Sequence, residues 1–392
     1  MRRDGHIRER SGRGDPLGGP SRTDGPIVAS RPPGVGLLRY GDSMRYRTLG
    51  STGIQVSTYC LGAMMFGAWG NRDHDDSIRI IHAALDSGIN FIDTADVYSG
   101  GESEEIVGKA LVGRRDRVVL ASKVHGGMGD DPNERGNSRR WIIREVESSL
   151  RRLGTDHLDL YQIHRPDPTT DIEDTLSALT DLVHQGKVRA IGSSTFPAEL
   201  IVEAQWASER RGLERFRCEQ PPYSIFVRGI ETAVLPTCAR YGMGAIVWSP
   251  LAGGWLSGKY RAPSDIDLTT GRAARLPGRF DPSLPGNKRK LETIGELDKV
   301  ASDAGVPLTH LAMAFAVAHP AVSSAIIGPR TMEQLEDVLA GAATDIDDAI
   351  LDRIDAIVAP GTDLSLADSG WSPPSIADPS ARRRPEGSRS AA

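Results

Sequence analysis

Cysteine, aromatic residues, net charge and long apolar runs are all scarce in this sequence. Three cysteines in 392 residues, Cys60, Cys218 and Cys238, are an odd number without C-x-x-C spacing. That argues against a disulfide framework or structural zinc site, points to a reducing compartment, and leaves each thiol to read as a small buried residue. No apolar stretch approaches the roughly 18 residues of a membrane span. A formal charge of -5 gives no sequence-wide reason to bind nucleic acid or an anionic membrane. With 39% hydrophobic and 25% charged residues, the chain as a whole is neither disordered, collagen-like nor a coiled coil. Its length admits two or three domains, or one α/β barrel of about 250 residues with extensions.

The ends read as tails. Residues 1–43 contain eight arginines diluted by five acidic residues and broken by Gly and Pro, with few apolar groups to offset the entropy of ordering. The segment lacks the apolar region of a secretory signal. Pattern begins abruptly at Met44, which makes Met44 a candidate translation start. The Pro/Ser/Arg-rich stretch from Gly370 reads the same way. The expected organisation is a disordered tail over 1–43, a barrel over 44–362, and a C-terminal tail over 363–392, disordered from about 370.

What is present between the tails is a repeat. Short β-rich runs, each followed by an amphipathic helical stretch, occur at Tyr59–Ala63, Asn90–Thr94, Arg117–Ser122, Leu158–Ile163, Val188–Ser193, Arg217–Gln220, Gly244–Trp248 and Ser323–Ile327. RVVLAS and SSAIIG are continuous apolar runs, as expected of strands covered by helices. Helices open at Ser138 and Asp171 and close at Gly154 and Gly186. Eight βα units predict a (β/α)8 (TIM) barrel, with an extra segment from about Leu251 to Asn287 before the last strand. A doubly wound sheet is the alternative, but CLGAMMFG is not its G-x-G-x-x-G fingerprint. Arg45–Ser57, with Ser51-Thr52-Gly53 in its middle, predicts a β-hairpin plugging the barrel floor.

In such barrels chemistry sits at the C-terminal strand ends. Three successive strands supply one titratable group each: Asp93 in INFIDTADVY, Lys123 in VVLASKV and His164 in DLYQIHRPD. Tyr98 leaves the same strand as Asp93. Each residue alone reads as a cap, a solvated charge or a surface ring; together they make chemical sense. An ammonium at Lys123, held by Asp93, lowers the pKa of a phenol, and His164 can orient a carbonyl oxygen toward it. Such a site protonates an oxyanion as it forms. Met65, Phe66 and Trp69, with Trp248, predict an apolar mouth for the substrate, while His125 reads as solvent-facing or substrate-touching.

FIDTADVYSGGESEEIVGKAL, ASKV, DLYQIHRPD, VRAIGSST, EQPPYSIFVRGIE, WSPLAGGWLSGKY and IIGPRTMEQLEDV resemble, in order, the aldo-keto reductase superfamily, above all bacterial reductases similar to the β-subunits of voltage-gated potassium channels. The resemblance spans about Met44 to Ala359. It implies a cytoplasmic, metal-free oxidoreductase that uses NADP(H), with NADPH preferred over NADH, to reduce aldehydes or ketones to alcohols by direct hydride transfer. Asp93, Tyr98, Lys123 and His164 match the family tetrad, with Tyr98 as general acid. Cofactor contacts carry over to Ser194 and Gln220 at the carboxamide, Trp248 stacking on the nicotinamide, Ser249, Pro250, Leu251, Gly253 and Lys259 along the pyrophosphate, and Gly328, Arg330, Gln334 and Asp337 around the adenosine half. Arg272 is a further candidate. Thr195 and Val338 stand where the family commonly has Asn. The expected partner is a small carbonyl compound, with neither nucleic acid nor membrane, and the oligomeric state stays open. Two alternatives remain: a redox-sensing NADP-binding subunit with little turnover, and a lyase using Lys123 as a Schiff-base nucleophile.

Overall fold

Eight parallel strands close on themselves in chain order. The structure, a computed structural model, describes residues 44–389, so the expectation for 1–43 lies outside the described residues. The barrel strands are β3 (Tyr59–Gly62), β4 (Phe91–Asp93), β5 (Val119–Val124), β6 (Leu158–Ile163), β7 (Val188–Ser194), β8 (Cys218–Gln220), β9 (Gly244–Val247) and β10 (Val322–Ile327), the last pairing back onto β3. They follow β1 (Tyr46–Thr48) and β2 (Gln55–Ser57), an antiparallel hairpin.

That hairpin is the floor plug. Leu49 and Val56 insert among the inward side chains Cys60, Phe91, Ala121, Leu160, Ala190, Cys218 and Ile246. Ser51 N donates to Gly242 O at 2.8 Å, and Arg47 donates to Val322 O at 2.7 Å, both at the N-terminal side of the barrel. Gly50 has φ 53° there, and a Cβ on it would lie 2.5 Å from Gly244 N; only glycine satisfies both demands. The three cysteines are buried and free, and burial raises all three thiols, which disfavours the reactive thiolate.

Outside the barrel the helices bury one face each in a second, larger core. Caps fall where the sequence places them. Ser138 receives Trp141 N before α3, which follows α1 (His74–Asp86) and α2 (Glu102–Ala110) and spans Arg139–Leu153, ending at left-handed Gly154. Asp171 opens α4 (Ile172–His184) by accepting from Glu173 N.

Most strand ends differ from expectation by a single residue, and three boundaries differ in ways that matter to the site. β4 is shorter because the Asn90 side chain binds Ser57 N and Gln55 O of the hairpin. β5 starts later, after a turn at Arg115–Arg117, and runs through Lys123 to Val124, so Lys123 lies inside the wall. The C-terminal segment does not leave the barrel at 362. Asp363 accepts from Gly229 N at 2.7 Å, Leu364 N donates to Phe226 O at 3.0 Å, and Asp368 pairs with Lys290. Gly370 has φ 85° and packs so tightly that a Cβ would lie 2.8 Å from the Trp248 ring. The segment Asp363–Gly370 therefore crosses the C-terminal mouth. Beyond it the described residues form single helical turns at Pro374–Ala377, Pro379–Ala381 and Glu386–Ser388. The extra segment after β9 joins the larger core through aromatic residues, with Trp255 stacked on Phe280 at 5.8 Å and tilted against Tyr260 at 5.2 Å. Among the described residues no single helix is long and apolar enough to cross a membrane.

Candidate active site

Asp93 ends β4, Lys123 sits near the end of β5, His164 directly follows β6, and Tyr98 opens the turn that leads from β4 to α2. Adjacent parallel strands bring these groups together. Lys123 Nζ donates to Asp93 Oδ1 at 2.5 Å, to Thr94 O at 2.9 Å and to Tyr98 Oη at 3.1 Å. The other Asp93 oxygen receives Gln162 at 3.2 Å and Gln220 at 2.8 Å. His164 meets Tyr98 edge-on at 5.6 Å, and Trp69 lies 5.9 Å from the phenol on another side.

Electrostatics set the proton positions. Burial drives Lys123 toward neutrality, but the Asp93 carboxylate and the phenol outweigh it, so the ammonium is held above the ordinary lysine range. Burial raises Tyr98 and Lys123 opposes it, and burial wins. The phenol lies above its ordinary value, not below as the sequence argument had it, and stays protonated at neutral pH. Burial, reinforced by Lys123 and Arg165, pushes His164 well below its ordinary value, leaving a neutral imidazole. The arrangement can donate one phenolic proton toward the cavity and stabilise the phenolate left behind.

The cavity that these groups face has a volume of about 1170 Å³, room for a dinucleotide and a small substrate. Asp93, Tyr98 and His164 line it, while Lys123 is fully buried behind them. All twelve residues expected at a cofactor, from Ser194 and Gln220 through Trp248, Ser249, Pro250, Leu251, Gly253 and Lys259 to Gly328, Arg330, Gln334 and Asp337, line the same cavity. Gln220, however, has its amide nitrogen engaged by Asp93 and Gln162. Met65 and Trp69 also line it. Phe66 does not: its ring is fully buried in the core outside the strands, because the chain turns inward there and leaves the mouth to its neighbours. His125 is likewise not at the cavity and binds Asn137 at 2.9 Å.

Two observations mark this cavity as a built site. Among the described residues four non-glycine positions have left-handed backbones, Ser99, Thr195, Ser249 and Ala252. Ser249 and Ala252 line the cavity, and Ser99 and Thr195 directly follow Tyr98 and Ser194. Such strain costs on the order of 1–3 kcal/mol each and persists where surroundings impose it. The cavity also holds unneutralised cations. Among the described residues Arg272 and Arg275 have no carboxylate partner, only the Met65 sulfur at 3.6 and 3.8 Å. Burial and then its arginine neighbours push Arg272 below its ordinary value. Charges left so exposed to one another fit a polyanion such as a dinucleotide phosphate chain.

Residues 59–359 match the aldo/keto reductase family. The chain belongs to that family. Its relatives include an uncharacterized oxidoreductase, YrpG, of Bacillus subtilis (strain 168), 38% identical over 80% of this chain and 96% of its own length. A probable voltage-gated potassium channel subunit beta of Arabidopsis thaliana is 36% identical over 80% of this chain and 97% of its own. The aldo-keto reductase YhdN of B. subtilis is 38% identical over 75% and 87%. For this aldo/keto reductase, sequence reasoning missed Arg165, Arg275, Arg279 and Asp368 at the cavity. Arg165 directly follows His164 in the H-R-P-D run, and that was its only signal.

A buried acid behind the site yields a first prediction. Glu219 accepts the Ser193 hydroxyl at 2.5 Å and Phe196 N at 3.1 Å, and burial raises it to about 7. Because the folded value exceeds the unfolded value of about 4.3, ionisation is resisted in the fold. Stability contributed by the neutral acid is fully present below about pH 4.3 and lost as pH rises toward 7. Glu219→Gln should flatten that slope by an amount on the order of 2–4 kcal/mol. Melting temperatures from pH 5 to 8 check it; equal slopes in variant and parent refute it.

Proposed function

We propose that the protein is an NADPH-dependent reductase of aldehydes or ketones, with Tyr98 as general acid. The observation that carries this reading is the phenol hydroxyl 3.1 Å from a fully buried ammonium, itself paired with Asp93, at one end of a cation-lined cavity. When bound, NADPH supplies the hydride. As the carbonyl oxygen gains charge, Tyr98 gives it a proton, and Lys123 stabilises the phenolate that results. Asp93 keeps Lys123 charged and aimed. Neutral His164 directs the carbonyl oxygen toward the phenol without competing for its proton. Arg330 would hold a 2′-phosphate, Lys259 and Arg272 the pyrophosphate, the Trp248 face the nicotinamide ring, and Ser194 its carboxamide.

The test is NADPH oxidation by 4-nitrobenzaldehyde, followed at the nicotinamide absorbance, together with quenching of tryptophan fluorescence by NADPH and NADH. Turnover, and binding of NADPH about tenfold or more tighter than NADH, are expected. Absence of both overturns the reading. Similarity to a potassium channel subunit beta favours one second reading, a cofactor-binding subunit. Tight NADPH retention with negligible turnover of every aldehyde offered would select it.

A further inference from the structure

One cation at the reacting end of the cavity is not used by the chemistry above. Arg165 lines the cavity beside His164, and its charge is felt by Tyr98. One nitrogen alone is engaged. Nη1 donates to His164 O at 2.6 Å and reaches Thr195 Oγ1 at 3.2 Å and Ser194 Oγ at 3.5 Å. Among the described residues Nε and Nη2 have no acceptor, and no carboxylate forms an ion pair with this guanidinium. Three of its five N–H groups are therefore unspent by the protein on a half-buried side chain that lines the cavity.

Buried arginines away from the cavity are paired. Arg152 is held by Glu104 and Glu145, Arg228 by Glu231 and Asp355, and Arg115 by Asp159. Among the described residues the acids that act on Arg165 are the Tyr98 phenol and the carboxyl of Glu219, and Glu219 is committed to Ser193 and Phe196 N. Nor does Arg165 belong with the cations assigned to phosphates. Arg279 is a neighbour of both Arg165 and Arg272, but Arg272 also faces Arg275 and Arg330, whereas Arg165 hydrogen-bonds His164, Ser194 and Thr195 at the Tyr98 end. A planar fork with free donors, beside the proton donor, lacks a counter-ion that arrives with the ligand.

We propose that Arg165 anchors a carboxylate carried by the substrate, and that the preferred substrates are oxo acids, aldehydes or ketones bearing a carboxylate, over neutral carbonyl compounds. The inference rests on the reductase reading of the same site. A carboxylate fits better than a phosphate because two coplanar oxygens match one guanidinium fork. A phosphate dianion would call for a second unneutralised cation, and the neighbouring Arg279 is already held by Ala367 O at 2.9 Å and by Asp368 at 3.6 Å.

The experiment compares kcat/KM, with saturating NADPH and full-length protein, for the three isomeric carboxybenzaldehydes, their methyl esters and the corresponding formylphenylphosphonates. In at least one isomer the parent should prefer the acid over its ester by about 10- to 100-fold. Arg165→Met should bring that ratio close to one, mainly by raising KM for the acid, and Arg165→Lys should keep part of the preference. The Kd for NADPH from fluorescence quenching should move far less than KM for the acid. Turnover of esters without preference for any acid overturns the Arg165 assignment and leaves the reductase reading standing. Equal losses on acid and ester, or a matching rise in the NADPH Kd, likewise overturn it in favour of a cofactor or structural role. A phosphonate preferred over the carboxylate overturns the carboxylate assignment. No turnover of any aldehyde by the parent overturns the reductase reading, and this inference with it.

Discussion

Replacing Tyr98 by Phe should lower kcat by about 10²- to 10⁴-fold, the range for loss of a positioned general acid. The ring contributes packing and the hydroxyl contributes chemistry, so the two separate cleanly. Phe keeps the edge-on contact with His164 and the contact with Trp69, and loses one hydrogen bond, from Lys123. Lys123 retains Asp93 and Thr94 O as partners, so no buried charge is orphaned and the fold should hold. The Kd for NADPH should change far less than kcat, since in the proposed mechanism the deleted oxygen serves the carbonyl and not the cofactor. The parent's rate should also stay level from about pH 6 to 9, because burial keeps the phenol protonated beyond its ordinary value of about 10 while His164 is already neutral. A Phe variant as fast as the parent, with cofactor binding intact, removes Tyr98 from the mechanism. An alkaline fall in rate beginning near pH 7 would mean that the Lys123 ammonium, not burial, governs the phenol.

Much of the fold was legible because its signals are local. Strands covered on both faces leave continuous apolar runs such as RVVLAS, and caps such as Ser138 and Gly154 declare themselves by residue type. Asp93, Lys123 and His164 could be placed together because parallel neighbours in a barrel put strand ends side by side. What stayed hidden depends on single contacts with no period. The segment at Asp363–Gly370 is polar and aperiodic, so composition alone reads it as a tail, yet three isolated interactions at Asp363, Asp368 and Gly370 fix it over the mouth. Phe66 and Met65 are equivalent in composition, and only the turn of the chain decides that one faces the core and the other the cavity. The direction of the Tyr98 shift needed burial, which a sequence does not give. Arg165 shows the same limit, since a missing counter-ion is a property of three dimensions.

Lys123→Met tests how far stability and chemistry share one ion pair. Lys123 is fully buried and Asp93 nearly so. Removing the ammonium leaves a buried carboxylate with only the amides of Gln162 and Gln220 as donors. Breaking a buried pair from one side typically costs about 3–5 kcal/mol, because the abandoned charge keeps its desolvation penalty. Each kcal/mol is worth roughly 2–4 °C in a domain of somewhat smaller size, so the melting temperature should fall on the order of 10 °C. Activity should fall at least about 10²- to 10³-fold, since the phenolate formed by proton transfer loses its stabilising charge. The double variant Asp93→Asn with Lys123→Met separates the two effects. With no charge left to bury, a neutral pair of similar shape should recover most of the lost stability, while activity stays low because the ammonium is still missing. A double variant that regains activity along with stability would show that Lys123 acts only by holding the fold. A single variant as stable as the parent would show that Asp93 is not charged beside it, and the proton relay built on that pair would have to be redrawn.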